Sequence, residues 1–137
     1  MSEPVKIRPA PTPTNLTQRF WQGAADEKLM LQFDPASNRF QFYPRPASLE
    51  TGKQNLEWRT ASGKGIIYSF TITHVPAAGF EDKVPYAVGL VELDEGVRVV
   101  ANLVNVDPEQ LAIGQRVRLC WETLPDDKRY FAFELDD

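Results

Sequence analysis

The second half of the chain alternates hydrophobic and polar positions in short blocks separated by turn residues. Residues 65–75, GIIYSFTITHV, are rich in β-branched and aromatic side chains, and 84–104 contain two such blocks joined by Asp-Glu-Gly at 94–96. Two further blocks follow at 115–122 and 129–135. Alternation of this kind predicts strands, and the Asp-Glu-Gly turn is typical of a hairpin. The pattern therefore predicts five strands.

A short helix is predicted between the third and fourth of these strands. Residues 107–114, DPEQLAIG, offer Asp107 as the N-cap, Pro108 at the first helical position and Gly114 as the end. Three strands, a helix and two strands is the order of an OB-fold, a five-stranded and partly open barrel. The position of the helix favours this barrel over a β-sandwich. We therefore predict a mainly β protein in which residues 59–137 form the OB-fold domain.

The first part of the chain follows a different pattern. Residues 1–14 carry four prolines and are predicted to be an extended arm, and 15–32 are predicted to be an N-terminal helical segment. Leu16, Phe20 and Trp21 lie on one side of that helix, which is a large apolar load for so short an element. Two interpretations stay open: the helix anchors onto its own domain, or it contacts another subunit.

Residues 33–58 keep the spacing of a zinc ribbon without its ligands. Asp34 and Ser37 form one polar pair, Ser48 and Thr51 form a second, and ten residues lie between the pairs. Structural zinc requires four thiolate or imidazole ligands, which one carboxylate and three hydroxyls cannot provide. We therefore predict a metal-free, ribbon-like hairpin whose polar side chains bond to the backbone at the two turns. Without the roughly 10–16 kcal/mol that structural zinc can contribute, this unit must be held by packing on the barrel or on a partner.

Composition and charge narrow the function classes. The net charge is -4 and the pI is about 5.0, which gives no general attraction to nucleic acid. The single cysteine excludes an intrachain disulfide, and no P-loop, G-x-G-x-x-G or G-x-S-x-G motif occurs. The sequence has no apolar signal segment and no long apolar run, so we expect a cytoplasmic location and no membrane partner.

The sequence provides little for catalysis by this chain alone. Cys120 lies inside a strand pattern and is predicted to be a core thiol, and His74, the one histidine, ends a strand. The loop 76–86 is long for a hairpin connection and carries Phe80 and Lys83. Long loops of compact domains are often functional, and OB-folds commonly bind ligands with such loops. This loop is therefore the predicted ligand-facing segment, although a passive connection stays open.

Several segments, taken in order, resemble one known family. They are FWQGAADEKLMLQ near the N-terminus, YPRP at 43–46, LEW at 56–58, SGKGIIYSFT at 62–71, VPYAVGLVELDEG at 84–96 and LAIGQRVRL at 111–119. Their order and spacing over residues 15–135 resemble the acyl-CoA-associated proteins, in which a rubredoxin-like zinc ribbon precedes an OB-fold and which occur beside thiolase-like enzymes. The chain departs from that family at the four polar ribbon positions, where the family carries cysteines.

The resemblance implies an accessory subunit with no cofactor and no catalytic residue of its own. Its partner would be a thiolase-like enzyme subunit that acts on acyl-CoA, the CoA thioester being the substrate of a hetero-oligomeric complex with thiolase, acyltransferase or retro-aldolase chemistry. This chain would help to form the substrate or CoA channel and would stabilise the partner. The predicted substrate- or CoA-binding residues are Phe80, Lys83, Tyr86 and His74, and the predicted partner interface is Phe20, Trp21, Phe40, Phe42, Tyr43 and Arg45.

Two other function classes stay open at this point. OB-folds also bind nucleic acid, and the aromatic residues could stack on bases, although the acidic balance disfavours this. A stand-alone enzyme that binds or hydrolyses acyl-CoA is disfavoured by the scarcity of catalytic side chains. A gel-shift experiment with single-stranded nucleic acid at low salt separates the first of these from the accessory subunit.

Overall fold

The computed structural model describes residues 12–75, 85–124 and 128–136. The predicted ligand-binding residues Phe80 and Lys83 therefore lie outside the described part of the chain. The described elements are a helix, eight strands and a 3₁₀ turn: α1 (Gln18–Ala25), β1 (Met30–Asp34), β2 (Arg39–Gln41), β3 (Glu57–Thr60), β4 (Lys64–Thr73), β5 (Tyr86–Leu93), β6 (Arg98–Leu103), the 3₁₀ turn (Pro108–Gln110), β7 (Arg116–Thr123) and β8 (Arg129–Leu135).

Five of these strands close into a barrel in the order β4-β5-β6-β8-β7, and β4 pairs with β7 to complete the ring. All neighbouring strands run antiparallel except β6 and β8, which meet in parallel at Leu103 and Phe133. The 3₁₀ turn lies between β6 and β7, the third and fourth barrel strands. This arrangement is that of an OB-fold, so the predicted fold class is confirmed.

Alternating burial explains why these segments form a barrel. Every second residue of β5 and of β6 is buried, which is the two-residue period of a strand with one face on the core. The side chains that fill the barrel include Ile67, Val91, Val99, Val117 and Phe133, all of which are almost completely inaccessible to solvent. The apolar half of each strand is therefore used by the barrel itself.

Two glycines are required by the backbone geometry of the barrel. Gly96 takes a φ of 90° in the β5–β6 hairpin, where the Leu93 amide donates to the Val97 carbonyl at 2.8 Å. A Cβ added at Gly65 would lie 2.5 Å from the carbonyl oxygen of Glu92 on the neighbouring strand. The hairpin predicted at Asp-Glu-Gly is thus confirmed.

Helix α1 is shorter than the predicted helical segment 15–32. It ends at Ala25, and the Lys28 amide donates back to the Gly23 carbonyl at 2.9 Å, which closes a turn. The chain then enters β1 at Met30. The last residues of the predicted segment are therefore strand, because their side chains are buried on both faces of a sheet.

The predicted helix at 107–114 is also shorter than expected. A 3₁₀ turn forms only over Pro108–Gln110, and the Asp107 carboxylate caps it by accepting from the Glu109 amide at 3.0 Å. Leu111 is already extended and buries its side chain in the core. Burial of this leucine therefore ends the helical conformation early, while the predicted cap is confirmed.

A three-stranded antiparallel sheet in the order β2-β1-β3 precedes the barrel. Its central strand, β1, is buried at every position, and α1 packs against β1 and against β8 of the barrel. Phe20, Leu29 and Leu31 belong to the same hydrophobic core as Ile67 of the barrel. Packing on the barrel therefore holds the N-terminal unit. Within the described ranges, no helix has the length and apolar character needed to cross a membrane.

Candidate functional site

A group of hydrogen bonds occupies the polar ribbon positions, with the Asp34 carboxylate at its centre. Asp34 ends β1 and is 1% exposed. Its Oδ2 accepts from Ser48 Oγ at 2.5 Å and from Thr51 Oγ1 at 3.1 Å. Its Oδ1 accepts from the Ala36 amide at 2.8 Å and from Asn55 Nδ2 at 3.3 Å. These bonds, called the Asp34 cluster below, tie the central strand of the sheet to a distant turn.

Backbone amides fix the direction in which the two hydroxyls donate. Ser48 Oγ accepts from the amides of Glu50 and Thr51 at 3.1 Å and 3.2 Å, and Thr51 Oγ1 accepts from the Lys53 amide at 3.3 Å. Because these bonds use hydroxyl lone pairs, both hydroxyl protons are left to point at Asp34. The predicted side-chain-to-backbone bonds are confirmed, whereas the carboxylate at their centre was not predicted.

These hydrogen bonds hold the pKa of the Asp34 carboxyl well below its ordinary value. The Ser48 hydroxyl has the largest effect, and together with the Ala36 amide and the Thr51 hydroxyl it outweighs the opposing effect of burial. The Ser37 hydroxyl is close enough to lower the pKa further, but it falls short of hydrogen-bonding geometry and has no partner among the described residues. Asp34 is therefore ionised at neutral pH.

The donor set at these positions does not fit structural zinc. Three of the four side chains are hydroxyls, and the described residues contain no group of three or more His, Cys, Asp or Glu that could hold a metal ion. We predict that the purified protein contains no stoichiometric zinc and that EDTA leaves its unfolding temperature unchanged. Elemental analysis and thermal denaturation measure this, and stoichiometric zinc that survives dialysis against a chelator would contradict it.

Two buried glutamines hold the loop 43–49 that follows β2. Gln32 Nε2 donates to the Arg45 carbonyl and Gln32 Oε1 accepts from the Arg45 amide, both at 2.8 Å. Gln41 Nε2 donates to Gln32 Oε1 at 3.0 Å, and Gln41 Oε1 accepts from the Leu49 amide at 2.9 Å. The two glutamines are paired across β1 and β2 and are 4% and 6% exposed. Sequence analysis missed them, although polar residues at inward-facing strand positions were a usable signal.

Aromatic rings join α1, the loop after β2 and the barrel. Phe131 of β8 is fully buried, and its ring centroid lies 5.9 Å from that of Phe20 and 5.8 Å from that of Phe42. The Tyr130 ring stacks on Phe131 at 4.4 Å. Phe131 is therefore the point at which the N-terminal unit meets the barrel.

The outer edge of these aromatic contacts is open to solvent. Trp21 and Tyr130 are both half-buried and lie 5.8 Å apart between centroids. Tyr43 packs 4.2 Å from Phe42 and is 49% exposed. Burial, and secondarily the nearby Tyr43, raise the pKa of Tyr130 to about 12. A cleft of about 530 Å³ continues from Trp21 along the side of α1.

The residues predicted for the partner interface divide into buried and exposed groups. Phe20 is 5% exposed, so its assignment to the interface is corrected: it anchors α1 onto the chain's own core, because that face of the helix packs against β8. Phe40 and Phe42 are half-buried against the same core. Tyr43 and Arg45 are exposed and remain available to a partner.

The predicted ligand-binding residues that the structure describes lie at one end of the barrel. His74 is exposed directly after β4, and Tyr86 opens β5, where it pairs with Thr73. Tyr86 also lines a depression of about 220 Å³ with Asn102 and Glu122, whose side chains are joined by a hydrogen bond of 3.0 Å. The structure thus brings His74 and Tyr86 to the same rim, from which the connection 76–84 departs.

Cys120 is not activated as a nucleophile. It is half-buried in β7 opposite Ala132. Burial, followed by the carboxylates of Glu134 and Glu122, raises the pKa of the thiol to about 11. Because the thiolate is the nucleophilic form, this side chain is unreactive at neutral pH.

Comparisons with known proteins match this architecture. Residues 58–122 match the sequence profile of a family described as "ChsH2, C-terminal OB-fold domain". A DUF35 domain-containing scaffold protein of Pyrococcus furiosus is 33% identical over 101 residues, which cover 74% of this chain and 74% of that protein. A probable enoyl-CoA hydratase alpha subunit of Thermomonospora curvata is 36% identical over 121 residues, which cover 87% of this chain but only 37% of that protein.

A solved structure extends the similarity beyond the barrel. The chain superposes on a structure described as "Ltp2-ChsH2(DUF35) aldolase" with a TM-score of 0.83 and 28% identity, over 92% of this chain and 98% of the matched chain. The sequence and structural matches agree with the family resemblance that the order and spacing of the sequence segments indicated. The chain therefore belongs to the DUF35 family.

Proposed function

We propose that this chain is a non-catalytic accessory subunit of a complex in which a thiolase-like enzyme acts on an acyl-CoA. The observation that carries the proposal is the superposition on a chain of the structure described as "Ltp2-ChsH2(DUF35) aldolase", which covers 98% of that chain. The relative described as an enoyl-CoA hydratase alpha subunit supports the link to a CoA thioester and to a partner subunit.

The proposal assigns the chemistry to the partner. A thiolase, acyltransferase or retro-aldolase reaction needs an activated nucleophile or a base of suitable pKa. The Cys120 thiol, with its raised pKa, is unsuited to the first role. This chain would instead stabilise the enzyme subunit and complete the path of the acyl-CoA at the barrel rim that carries His74 and Tyr86.

Coexpression tests the proposal, with the thiolase-like protein whose gene lies nearest to the gene of this chain as the partner. We expect a stable hetero-oligomer by size-exclusion chromatography with light scattering, and acyl-CoA turnover that requires both subunits. The mass of the complex gives the subunit ratio. Turnover by this chain alone, or failure of any thiolase-like protein of the source organism to bind it, would contradict the proposal.

Phe80→Ala tests the ligand-facing role of the connection between β4 and β5. If the aromatic side chain packs on the acyl or pantetheine chain, turnover by the complex falls more than tenfold, which corresponds to about 1.4 kcal/mol. Assembly stays intact, since the change lies outside the proposed subunit contacts. Val75→Ala, an exposed residue at the start of the same connection, is the matched control and should leave turnover unchanged. Wild-type kinetics for Phe80→Ala in an intact complex would remove this loop from the site.

A further inference from the structure

We propose that Trp21, Tyr43 and Tyr130, with the cleft beside α1, form the surface that binds the enzyme subunit. We call these three residues the aromatic patch. The inference rests on the proposed function and specifies which face of the chain makes the subunit contact. It keeps Trp21 and Tyr43 from the sequence-based interface and adds Tyr130, whereas Phe20 is left out because its side chain is buried in the chain's own core.

The chemistry of the aromatic patch is that of a protein interface. Tryptophan, tyrosine and arginine are the residues that most often dominate binding energy at such interfaces. Trp21 comes from α1, Tyr43 from the loop after β2 and Tyr130 from β8, and ring contacts through Phe42 and Phe131 connect them. Three separate elements thus present aromatic groups on one side of the molecule.

The aromatic patch is rigidly presented before any partner binds. Gln32 and Gln41 use buried hydrogen bonds to hold the backbone on either side of the loop that carries Tyr43. Trp21 is fixed by an edge contact with Phe20, whose centroid is 5.0 Å away. A flexible surface loses conformational entropy when it binds a partner. Because these side chains are already held in the free chain, binding costs less entropy here.

Charges around the aromatic patch indicate a partner with an acidic rim. Arg45 is exposed two residues beyond Tyr43, and Lys128 and Arg129 line the cleft. Among the described residues, Glu27 pairs with Arg129 at 2.5 Å, and the exposed Arg45 places a positive charge on this face of a chain whose net charge is -4. Two copies of this chain meeting through the same face would bring like charges together, which disfavours a homodimer.

The cleft beside the aromatic patch favours a protein side chain over a small anion. Its α1 side is lined by the neutral polar residues Thr14, Asn15, Gln18 and Gln22, which can donate and accept hydrogen bonds. The Arg129 guanidinium that lines the cleft is already paired with Glu27, and this pairing weakens the attraction of the cleft for a phosphate. At about 530 Å³ the cleft can accept side chains from a partner that covers the aromatic patch.

Binding measurements with Tyr43→Ala and Arg45→Glu test this inference. The probe is the purified thiolase-like subunit from the coexpression experiment. Tyr68→Ala is the matched control, because Tyr68 is a tyrosine of similar exposure, 44% against 49%, on the barrel surface. Arg45 contributes only backbone atoms to its described hydrogen bonds, so Arg45→Glu keeps the fold even if Tyr43→Ala loosens the loop.

We expect Tyr43→Ala and Arg45→Glu each to raise the Kd for the enzyme subunit at least tenfold, about 1.4 kcal/mol. Arg45→Glu should retain the wild-type unfolding temperature. Tyr68→Ala should bind like the wild type. Unchanged affinity for Arg45→Glu and Tyr43→Ala, or an equal loss for Tyr68→Ala, would overturn the inference while leaving the proposed function intact. Loss of self-association instead of subunit binding would assign the surface to a second copy. Absence of binding by the wild type would overturn the proposed function itself.

Discussion

Replacing Phe131 with alanine is expected to lower the free energy of unfolding by about 3–5 kcal/mol. The ring is 0% exposed and contacts Phe20 of α1, Phe42 after β2 and Phe133 of the barrel. Its removal leaves a cavity where the N-terminal unit meets the barrel, and the surrounding strands cannot collapse to fill it. Urea denaturation followed by tryptophan fluorescence measures the change.

The matched control for this prediction is Leu49→Ala, since Leu49 is 62% exposed and its removal should change stability by no more than about 0.5 kcal/mol. Tryptophans lie in both parts of the molecule, at Trp21, Trp58 and Trp121, so fluorescence reports on the whole fold. We expect one cooperative transition in the wild type because the two parts share a core. A Phe131→Ala protein as stable as the wild type would contradict the packing described here.

Asp34→Asn is expected to lower the unfolding temperature at neutral pH by several degrees. The Ser48 and Thr51 hydroxyls and the Ala36 amide all donate to this side chain. An asparagine has one oxygen and one NH2 group, so in either orientation a donor would face a donor. Ser48 cannot reverse its role without losing the amides that it accepts from. A buried donor without an acceptor is costly.

The effect of Asp34→Asn should depend on pH with a defined sign. Because the pKa of Asp34 is depressed in the folded state, its stabilising contribution is complete above the unfolded value of about 3.9 and is lost as pH falls toward the folded value. Glu134 and Asp136 also have lowered pKa values, through Asn105 and Lys64 respectively, so the wild type alone does not isolate Asp34. The difference in unfolding temperature between wild type and variant should stay constant from neutral pH to about 5 and shrink below about 4. A difference that grows on acidification would contradict the Asp34 cluster.

The barrel could be predicted from the sequence because its strands carry a local signal. Burial alternates along β5 and β6, and a glycine with positive φ closes the hairpin between them. The helical segments were predicted less well. Leu111 and the residues of β1 are extended because they are buried against elements that are distant in the sequence. Local helix or strand propensity contains no information about such contacts.

The ribbon region shows the same division at the level of single side chains. Spacing marked Asp34, Ser37, Ser48 and Thr51 as a unit, and their residue types led to the prediction that this unit binds no zinc. It did not indicate that Asp34 accepts from Ser48 and Thr51, or that the Ser37 hydroxyl has no hydrogen-bond partner among the described residues. The partners are 14 and 17 residues apart, and only the folded sheet brings them within bonding distance.

By itself, the sequence determined the OB-fold, because the strand pattern and the turn residues are local signals along the chain. The metal-free ribbon stays a prediction from residue type and spacing. The tertiary structure alone decided which aromatic residues are core and which are surface. Phe20 and Trp21 are neighbours on one short helix, yet Phe20 is buried against β8 whereas Trp21 borders a cleft. That difference depends on where the barrel lies relative to the helix, and hydrophobicity along the chain carries no information about it.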